Sequence, residues 1–364
     1  MNPYNRPILL LMVSVLAMVS AQAQSAPAPQ KAAAASALAN PPATIPTRPN
    51  APPRTASAQK VHPKIMQAQV ILDRLGFSPG VIDGKEGFTL KLAVAGFQQT
   101  HDLPTTGTLD PATTAALGKL AGPAPDLEVT ITPADVAGPY VGKLPKREDD
   151  QAKLPSLGYS NIMEMLAERY HTTPATLIAL NSPETKLAAG SKIKVPNVAA
   201  TAHDYPAVLP DGYKQTLLGL NVASGQPQAD HLVVSKSRKS LSVYGGDNKL
   251  LAQFPVTTGS QHDPLPIGHW KVVGASYNPE FHFNPKLFWD AKKGEKKATL
   301  QPGPNGPVGV VWLNLSKPHY GIHGTPEPQN IGRTQSHGCI RMTNWDAARL
   351  SLMVKPGTPA MFEG

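Results

Sequence analysis

Residues 319–344 read HYGIHGTPEPQNIGRTQSHGCIRMTN, and the interpretation of the whole chain depends on them. Three histidines and the only cysteine of the chain fall within 21 residues of this stretch. A cysteine attacks as the thiolate, and a neighbouring imidazole can accept the thiol proton. The backbone N–H groups of Gly338 and Cys339 would face a developing oxyanion. The pattern therefore predicts thiol chemistry, against the common alternative of a cysteine that merely packs as a small buried residue.

The same cluster contains the residue types of a zinc site. His319 and His323 lie four residues apart, and His337 with Cys339 would complete four ligands. The strand-like context and an intervening glycine argue against a helix that presents the histidine pair, and the nearest acidic residue is Glu327. The chain also lacks a G-x-x-x-x-G-K-[ST] phosphate loop and a convincing dinucleotide fingerprint. We therefore expect neither a metal nor a cofactor.

The sequence around this stretch has the alternation that is typical of β-strands. β-Branched and apolar residues recur in short segments that are separated by turn residues. The expected strands are 232–235, 241–244, 250–257, 269–273, 308–315 and 359–362. Helical spacing is clearest at 345–353. We therefore predict a mainly β, sandwich-like domain over residues 230–364.

The motif IHG at 322–324, followed by SHGCIR at 336–341, resembles the signature of the L,D-transpeptidase (YkuD) family. The spacing of 16 residues between His323 and Cys339 fits that signature, and the resemblance extends over most of the β-rich domain. It implies that Cys339 is the nucleophile and that His323 is the general base. It also implies that Gly324 orients the imidazole through its backbone carbonyl, in place of a triad aspartate.

The resemblance also implies roles for the residues around this pair. His337 and Gly338 would support the catalytic site. The expected substrate-binding residues are Arg341, Tyr320, Ser336 and Trp312. Arg341 would contact a substrate carboxylate, because a guanidinium matches that geometry. Tyr320 would line the donor pocket, and Trp312 would shape the cleft or pack in the core. Ser336 and Asn344 would hold the loop by local hydrogen bonds.

The reaction that the resemblance implies is a two-step acyl transfer on peptidoglycan. Cys339 would attack the amide between the diamino acid and the terminal D-Ala of a stem tetrapeptide, and a thioester would form. A second stem as acceptor gives a 3→3 cross-link, and an envelope protein as acceptor becomes attached to the wall. Water as acceptor would make the enzyme an L,D-carboxypeptidase that trims stems. A wall-binding protein without activity is the non-enzymatic alternative.

Two smaller modules are predicted upstream. Residues 61–122 have helical spacing and resemble the type 1 peptidoglycan-binding domain, which implies a small three-helix fold. Residues 158–197 predict two helices and a closing strand with the pattern G-x-x-I-x-V-P. They resemble a small α+β LysM module, although the opening strand of that family is not evident. Residues 123–157 and 198–229 are predicted linkers, the first with a strand near 127–132.

The amino terminus and the composition indicate the compartment. Residues 1–23 combine a basic start, a short apolar run and an A-Q-A site, which is typical of a secretory signal peptide. Residues 24–60 contain 12 Ala, 8 Pro and no acid, which predicts a disordered tether. The net charge of +9, without long basic runs, suits an anionic cell wall, and we expect no nucleic-acid partner. We therefore expect a secreted periplasmic or cell-wall protein with no transmembrane span after signal removal.

Overall fold

The computed structural model describes residues 60–120, 124–289, 291 and 294–364. The predicted signal peptide at 1–23 lies outside the described residues, as does all but the last residue of the predicted tether at 24–60. Among the residues that are described, no helix combines the length and the apolar character that a bilayer span requires.

The first described region is a three-helix unit, as predicted. Its helices are α1 (Pro63–Arg74), α2 (Phe88–Thr100) and α3 (Pro111–Lys119). The Asp110 side chain caps α3 by accepting from the Thr113 backbone N–H at 2.8 Å. The buried Gln98 amide ties α2 to the segment before α3, because it donates to Thr113 Oγ1 at 2.7 Å and accepts from the Gly107 N–H at 2.8 Å. Apolar side chains of all three helices close over one core.

The second region has two strands and four short helices. They are β1 (Asp126–Thr130), α4 (Pro133–Ala137), α5 (Glu148–Gln151), α6 (Ile162–Arg169), α7 (Pro174–Leu180) and β2 (Lys192–Pro196). β1 runs antiparallel to β2, so the pair frames α6 and α7 in a β-α-α-β unit. The segment 123–157, which was predicted to be a linker, therefore contributes the first strand of this unit as well as α4 and α5. The strand predicted near 127–132 is present as β1, but its pairing with β2 was not predicted, because the two strands are distant in sequence.

The predicted linker at 198–229 also contains regular structure. Helix α8 (Asp211–Gly219) buries Tyr213 and Leu217 in the core of the last domain. The Tyr213 hydroxyl lies 2.8 Å from Ser351 Oγ of the next helix along the chain. Tertiary packing therefore stabilises this short helix, because isolated helices of this length are marginal in water.

The last region is mainly β, as predicted. Its elements are β3 (His231–Ser235), β4 (Ser240–Tyr244), β5 (Leu250–Pro255), β6 (Gly268–Tyr277), β7 (Phe281–Phe283), β8 (Ala298–Leu300), β9 (Val311–Leu315), β10 (Gly321–His323), β11 (Ile340–Arg341), α9 (Asn344–Met353) and β12 (Pro359–Glu363). Eight strands form one sheet in the order β11-β10-β9-β6-β12-β3-β4-β5, and β7 pairs with β8. The described residues thus show one large sheet, covered by α8 and α9, in place of the expected sandwich-like pair. Strand alternation is the same in both arrangements, so the sequence pattern does not distinguish them.

A buried ion cluster joins the three regions. Asp73 of α1 lies 3.1 Å from Nδ1 of His171, which follows α6, and 3.2 Å from Nη2 of Arg349 in α9. The His171 ring stacks on Trp345 with centroids 5.1 Å apart, and its Nε2 lies 2.8 Å from the Leu220 carbonyl. Burial alone would raise the pKa of Asp73, but Arg349 and His171 lower it well below its usual range. The described parts of the three regions therefore form one interlocked unit.

Candidate active site

Two short parallel strands bring the predicted catalytic residues together. In β10 and β11, Ile322 pairs with Ile340, and His323 pairs with Arg341. Side chains alternate along a strand, so Cys339, the residue before β11, shares one face with Arg341 and His323. The fold thus places the expected nucleophile and the expected base on the same face of neighbouring strands.

The loop that carries the cysteine is held on both sides. Ser336 donates from Oγ to the Cys339 carbonyl at 2.6 Å, and its backbone N–H donates to the Thr258 carbonyl at 3.1 Å. Gly338 adopts a φ of 99°, and a Cβ at this position would overlap the Tyr320 ring. Glycine is therefore required both by the backbone conformation and by the ring that packs on it. Ser336 therefore holds the loop by hydrogen bonds, and the Tyr320 ring packs against Gly338.

The thiol of Cys339 lies in an apolar environment. Its side chain is almost fully buried, in a cluster with Phe281, Phe283 and Trp312. Burial raises the pKa of the Cys339 thiol to about 12, although the Gly321 backbone N–H and the positive charge of Arg341 act in the opposite direction. The thiol is therefore protonated at neutral pH and needs a base before it can attack.

The imidazole of His323 is fixed in position and in tautomer. It is fully buried and stacks on Trp312, with ring centroids 5.1 Å apart. Its Nδ1 lies 2.7 Å from the Gly324 carbonyl, so Nδ1 carries the proton and Nε2 keeps its lone pair. Burial and the nearby Arg341 lower the pKa of His323 to about 3. Nε2 is buried and has no hydrogen-bond partner among the described residues, so its lone pair is not engaged.

The other predicted residues lie around this pair. Arg341 is buried, and its charge acts on both His323 and Cys339. Trp312 is buried, stacks on the His323 ring and donates from Nε1 to Asn314 Oδ1 at 2.8 Å. His337 is also buried.

The β7–β8 hairpin adds a part of the site that sequence reasoning missed. Phe288, which follows β7, contacts the ring of His337 edge-on, with centroids 5.5 Å apart. Trp289 lies 6.0 Å from the same ring and stacks on His262. The alternating Phe-His-Phe of β7 was the available signal, but it is too short to predict a strand. Aromatic side chains of this segment therefore cover the site beside His337.

His319 takes part through its backbone. It adopts a φ of 68° in the turn before β10, and its carbonyl oxygen lies 3.9 Å from Cys339 Sγ. The His323 ring is engaged with Gly324 and Trp312. In the part of the chain that the structure describes, no group of three or more His, Cys, Asp or Glu side chains is arranged to hold a metal ion.

Comparison with known proteins places two of these regions in families. Residues 229–361 match the L,D-transpeptidase catalytic domain of the YkuD family, and residues 61–117 match a "Putative peptidoglycan binding domain". The chain is 35% identical over 127 residues to "Putative L,D-transpeptidase YkuD" of Bacillus licheniformis. The aligned residues are 35% of this chain and 61% of that protein. It is 30% identical over 147 residues to "Putative L,D-transpeptidase YqjB" of Bacillus subtilis, which covers 39% of this chain and 73% of that protein.

Among solved structures, "L,D-transpeptidase from Mycobacterium smegmatis" matches with a TM-score of 0.30 and 20% identity, over 36% of this chain and 58% of that chain. The family assignment depends on the domain match and on the sequence relatives, which agree with each other. By that match and those relatives, the chain belongs to the YkuD family of L,D-transpeptidases, which are acyltransferases that act on peptidoglycan.

Proposed function

We propose that this protein is a cysteine-dependent L,D-transpeptidase in which Cys339 forms a thioester with a peptidoglycan stem peptide. The observation that carries the proposal is the state of His323. Its Nδ1 is committed to the Gly324 carbonyl, and its buried Nε2 has no partner among the described residues. An unpaired buried polar atom costs about 1–3 kcal/mol, so it needs an explanation. A lone pair reserved for the Cys339 proton provides one.

The first half-reaction forms the thioester. Cys339 Sγ attacks the carbonyl between the diamino acid and the D-Ala of a stem tetrapeptide, while His323 Nε2 takes the thiol proton. The carbonyl oxygen becomes an oxyanion beside the backbone N–H groups of Gly338 and Cys339. When the intermediate collapses, the C–N bond breaks, His323 returns the proton to the amine, and D-Ala leaves. We assign His337 and Tyr320 to the walls of the site.

The protonation states determine the order of events in this step. The pKa of the thiol is raised to about 12 and that of the imidazole is lowered to about 3, so both groups are neutral before substrate arrives. The proton therefore moves as the sulfur attacks, and not beforehand. The cationic Arg341, next to both groups, stabilises the negative charge that develops and pairs with a substrate carboxylate.

The second half-reaction resolves the thioester with an amine, and His323 accepts the proton that the amine loses. With another stem as acceptor, the product is a 3→3 cross-link and the thiol is regenerated. An envelope protein with an accessible amine would become attached to the wall by the same step. Water as acceptor would give a trimmed tripeptide stem.

The proposal also assigns roles to the two upstream modules, the predicted signal peptide and the segment that follows it. The helical region, which matches a peptidoglycan-binding domain, would hold the enzyme on the wall. The paired strands β1 and β2 with helices α6 and α7 have the elements of a LysM module, with α4 and α5 as an addition after β1, and we propose that the unit is one. We also propose that residues 1–23 direct secretion into the periplasm and that residues 24–60 provide reach from the membrane.

The test incubates the purified chain without residues 1–23 with a disaccharide tetrapeptide and analyses the products by mass spectrometry. We expect a dimer that has lost one D-Ala. The matched control is Cys339→Ala, which replaces one small buried side chain by another and should fold normally but form no product. A tripeptide alone would assign hydrolysis or indicate a missing acceptor. Turnover by the alanine variant would overturn the cysteine mechanism.

A further inference from the structure

Helix α6 of the β-α-α-β unit presents two carboxylates to asparagines of the catalytic domain. Glu164 and Glu168 lie one turn apart on this helix. Glu164 Oε1 accepts from Asn305 Nδ2 at 2.6 Å. The two carboxyl oxygens of Glu168 accept from Asn344 Nδ2 at 2.9 and 3.1 Å. The two contacts are chemically alike, but they reach different parts of the catalytic domain.

Glu168 occupies a costly position. It is 6% exposed, and the Tyr159 hydroxyl donates to it at 3.2 Å. Burial and the nearby Glu164 raise the pKa of Glu168 to about 8, although hydrogen bonds from Asn344 and Tyr159 act in the opposite direction. Buried carboxyl groups with strongly shifted pKa values are concentrated at functional sites. Its contact with Asn344 leads directly to the candidate active site.

Asn344 joins Glu168 to the segment that follows β10. It is fully buried at the start of α9, and its Nδ2 also donates to the Pro304 carbonyl at 3.0 Å. Its Oδ1 lies against Gly309 and Gly324, and a Cβ at either glycine would overlap that oxygen. The carboxamide is thus wedged against the backbone of both glycines, with Glu168 behind it.

Gly324 is the residue whose carbonyl fixes the tautomer of His323. The Gly324 oxygen lies 2.7 Å from His323 Nδ1. A side chain that presses on Gly324 therefore controls the direction of this carbonyl. We propose that Glu168 is a positioning residue: it holds Asn344 against Gly324, so that the Gly324 carbonyl stays aligned on His323. The proposal extends the transpeptidase function proposed above, and it makes the β-α-α-β unit a part of the active-site support.

Glu164 supplies the matched control. It makes the same kind of contact across the same interface, but its partner Asn305 donates to the Gly158 carbonyl at 2.9 Å, whereas Asn344 is the side chain that lies against Gly324. If α6 only docks the unit, removal of either carboxylate should have the same effect. If Glu168 positions the base, the two effects should differ.

The experiment compares four variants of the full chain: Glu168→Ala, Glu168→Asp, Glu168→Gln and Glu164→Ala. Steady-state release of D-Ala from the tetrapeptide gives kcat and KM. We expect Glu168→Asp, which is one methylene too short to reach Asn344, to lower kcat about tenfold or more with KM changed less than about twofold, because small misplacements of a base are costly. Glu168→Gln keeps the length and an accepting oxygen, and it should stay within about threefold of wild type. Glu164→Ala should also stay within about threefold of wild type.

A second measurement does not depend on turnover. With ¹⁵N-labelled histidine, NMR reports whether His323 carries its proton on Nδ1. We expect the Nδ1–H form in wild type, Glu168→Gln and Glu164→Ala, and a mixture of tautomers in Glu168→Asp and Glu168→Ala. Unchanged kcat and an unchanged tautomer in Glu168→Asp would overturn the proposal, as would an equal loss in Glu164→Ala. If wild type releases no D-Ala but the tautomer shifts as expected, the proposed function fails and the positioning role stands.

Discussion

Two buried polar clusters of this molecule differ in how they tolerate burial. At the junction of the three regions, Asp73 is paired with His171 and Arg349, and the pKa of its carboxyl falls below the usual range. At the candidate active site, burial instead favours the neutral forms of Cys339 and His323, and Nε2 of His323 has no hydrogen-bond partner among the residues that the structure describes. Paired charges suit a joint that must not move. Neutral and incompletely paired groups suit a reaction in which a proton must move.

The largest effect is expected when the buried ion cluster that joins the three regions is disrupted. Asp73→Asn removes the carboxylate, leaves Arg349 buried without its counter-charge and takes a carboxylate partner from His171 Nδ1. We expect the free energy of unfolding to fall by about 3–5 kcal/mol, as is usual when one partner of a buried pair is lost. Urea unfolding followed by circular dichroism measures the change.

The control for Asp73→Asn is an exposed ion pair. Lys192 lies 2.8 Å from Glu128 on the surface of the β1–β2 pair, and Lys192→Ala should leave the unfolding midpoint unchanged. An equally small effect of Asp73→Asn would mean that the junction is held by apolar packing and not by its charges.

The second test removes the proposed base from the buried cluster of the candidate active site. His323→Ala removes the base, so kcat/KM should fall by about 100-fold or more, because lost general-base catalysis typically costs that much. The imidazole is neutral in the resting protein and its removal leaves no buried charge without a counter-charge, so the variant should remain folded. A 100-fold loss in His337→Ala, with none in His323→Ala, would show that the roles of the two histidines are reversed.

The pH dependence of stability tests whether Glu168 is ionised in the folded protein, like Asp73, or neutral, like Cys339 and His323. Its pKa is raised to about 8 in the folded protein, so between pH 4.5 and 8 the unfolded chain ionises at this position while the folded protein does not. Stability of the wild type should therefore fall as pH rises, relative to Glu168→Gln. Each pH unit contributes about 1.4 kcal/mol, so the variant should gain about 2 kcal/mol by pH 6 and reach a plateau above pH 8.

The measurement is a series of urea unfolding curves for both proteins from pH 4 to pH 9. Below pH 4.5 the carboxyl is protonated in both states, and the two proteins should be equally stable apart from a constant difference. A gap that does not widen with pH would mean that Glu168 is ionised in the folded protein, like Asp73.

The sequence predicts the two clusters unequally, for a physical reason. The motif around Cys339 is contiguous and lies only 16 residues after His323, so the local pattern and its resemblance to a known family are enough to propose the pair. The contacts of Glu168 with Asn344 and of Asp73 with Arg349 join residues 176 and 276 positions apart. Only the folded chain brings such residues together, and a single acidic residue on a helix has the ordinary appearance of a solvated one.

The same reasoning applies to the predicted linkers. A strand near 127–132 was predicted, but its pairing with β2 and the helix α8 were not, because both are stabilised by partners that lie far along the chain. Six of the ten strands of the last region were predicted, and the four that were missed, β7, β8, β10 and β11, have only two or three residues each. The assembly of eight strands into one sheet also depends on pairings that alternation does not encode. Local chemistry was therefore predictable, and the interfaces between regions were not.

The smallest expected effect is that of pH on kcat/KM, and it tests whether His323 stays buried during catalysis. An exposed histidine base would lose activity below its usual pKa of about 6.5. His323 has its pKa lowered to about 3, so it stays unprotonated throughout the range from pH 5 to pH 7. We therefore expect kcat/KM for D-Ala release to change by less than about twofold between pH 5 and pH 7. A fall with a midpoint near pH 6.5 would show that the base is solvated during catalysis. The site would then open before the proton moves, and its neutral, buried pair would describe only the resting protein.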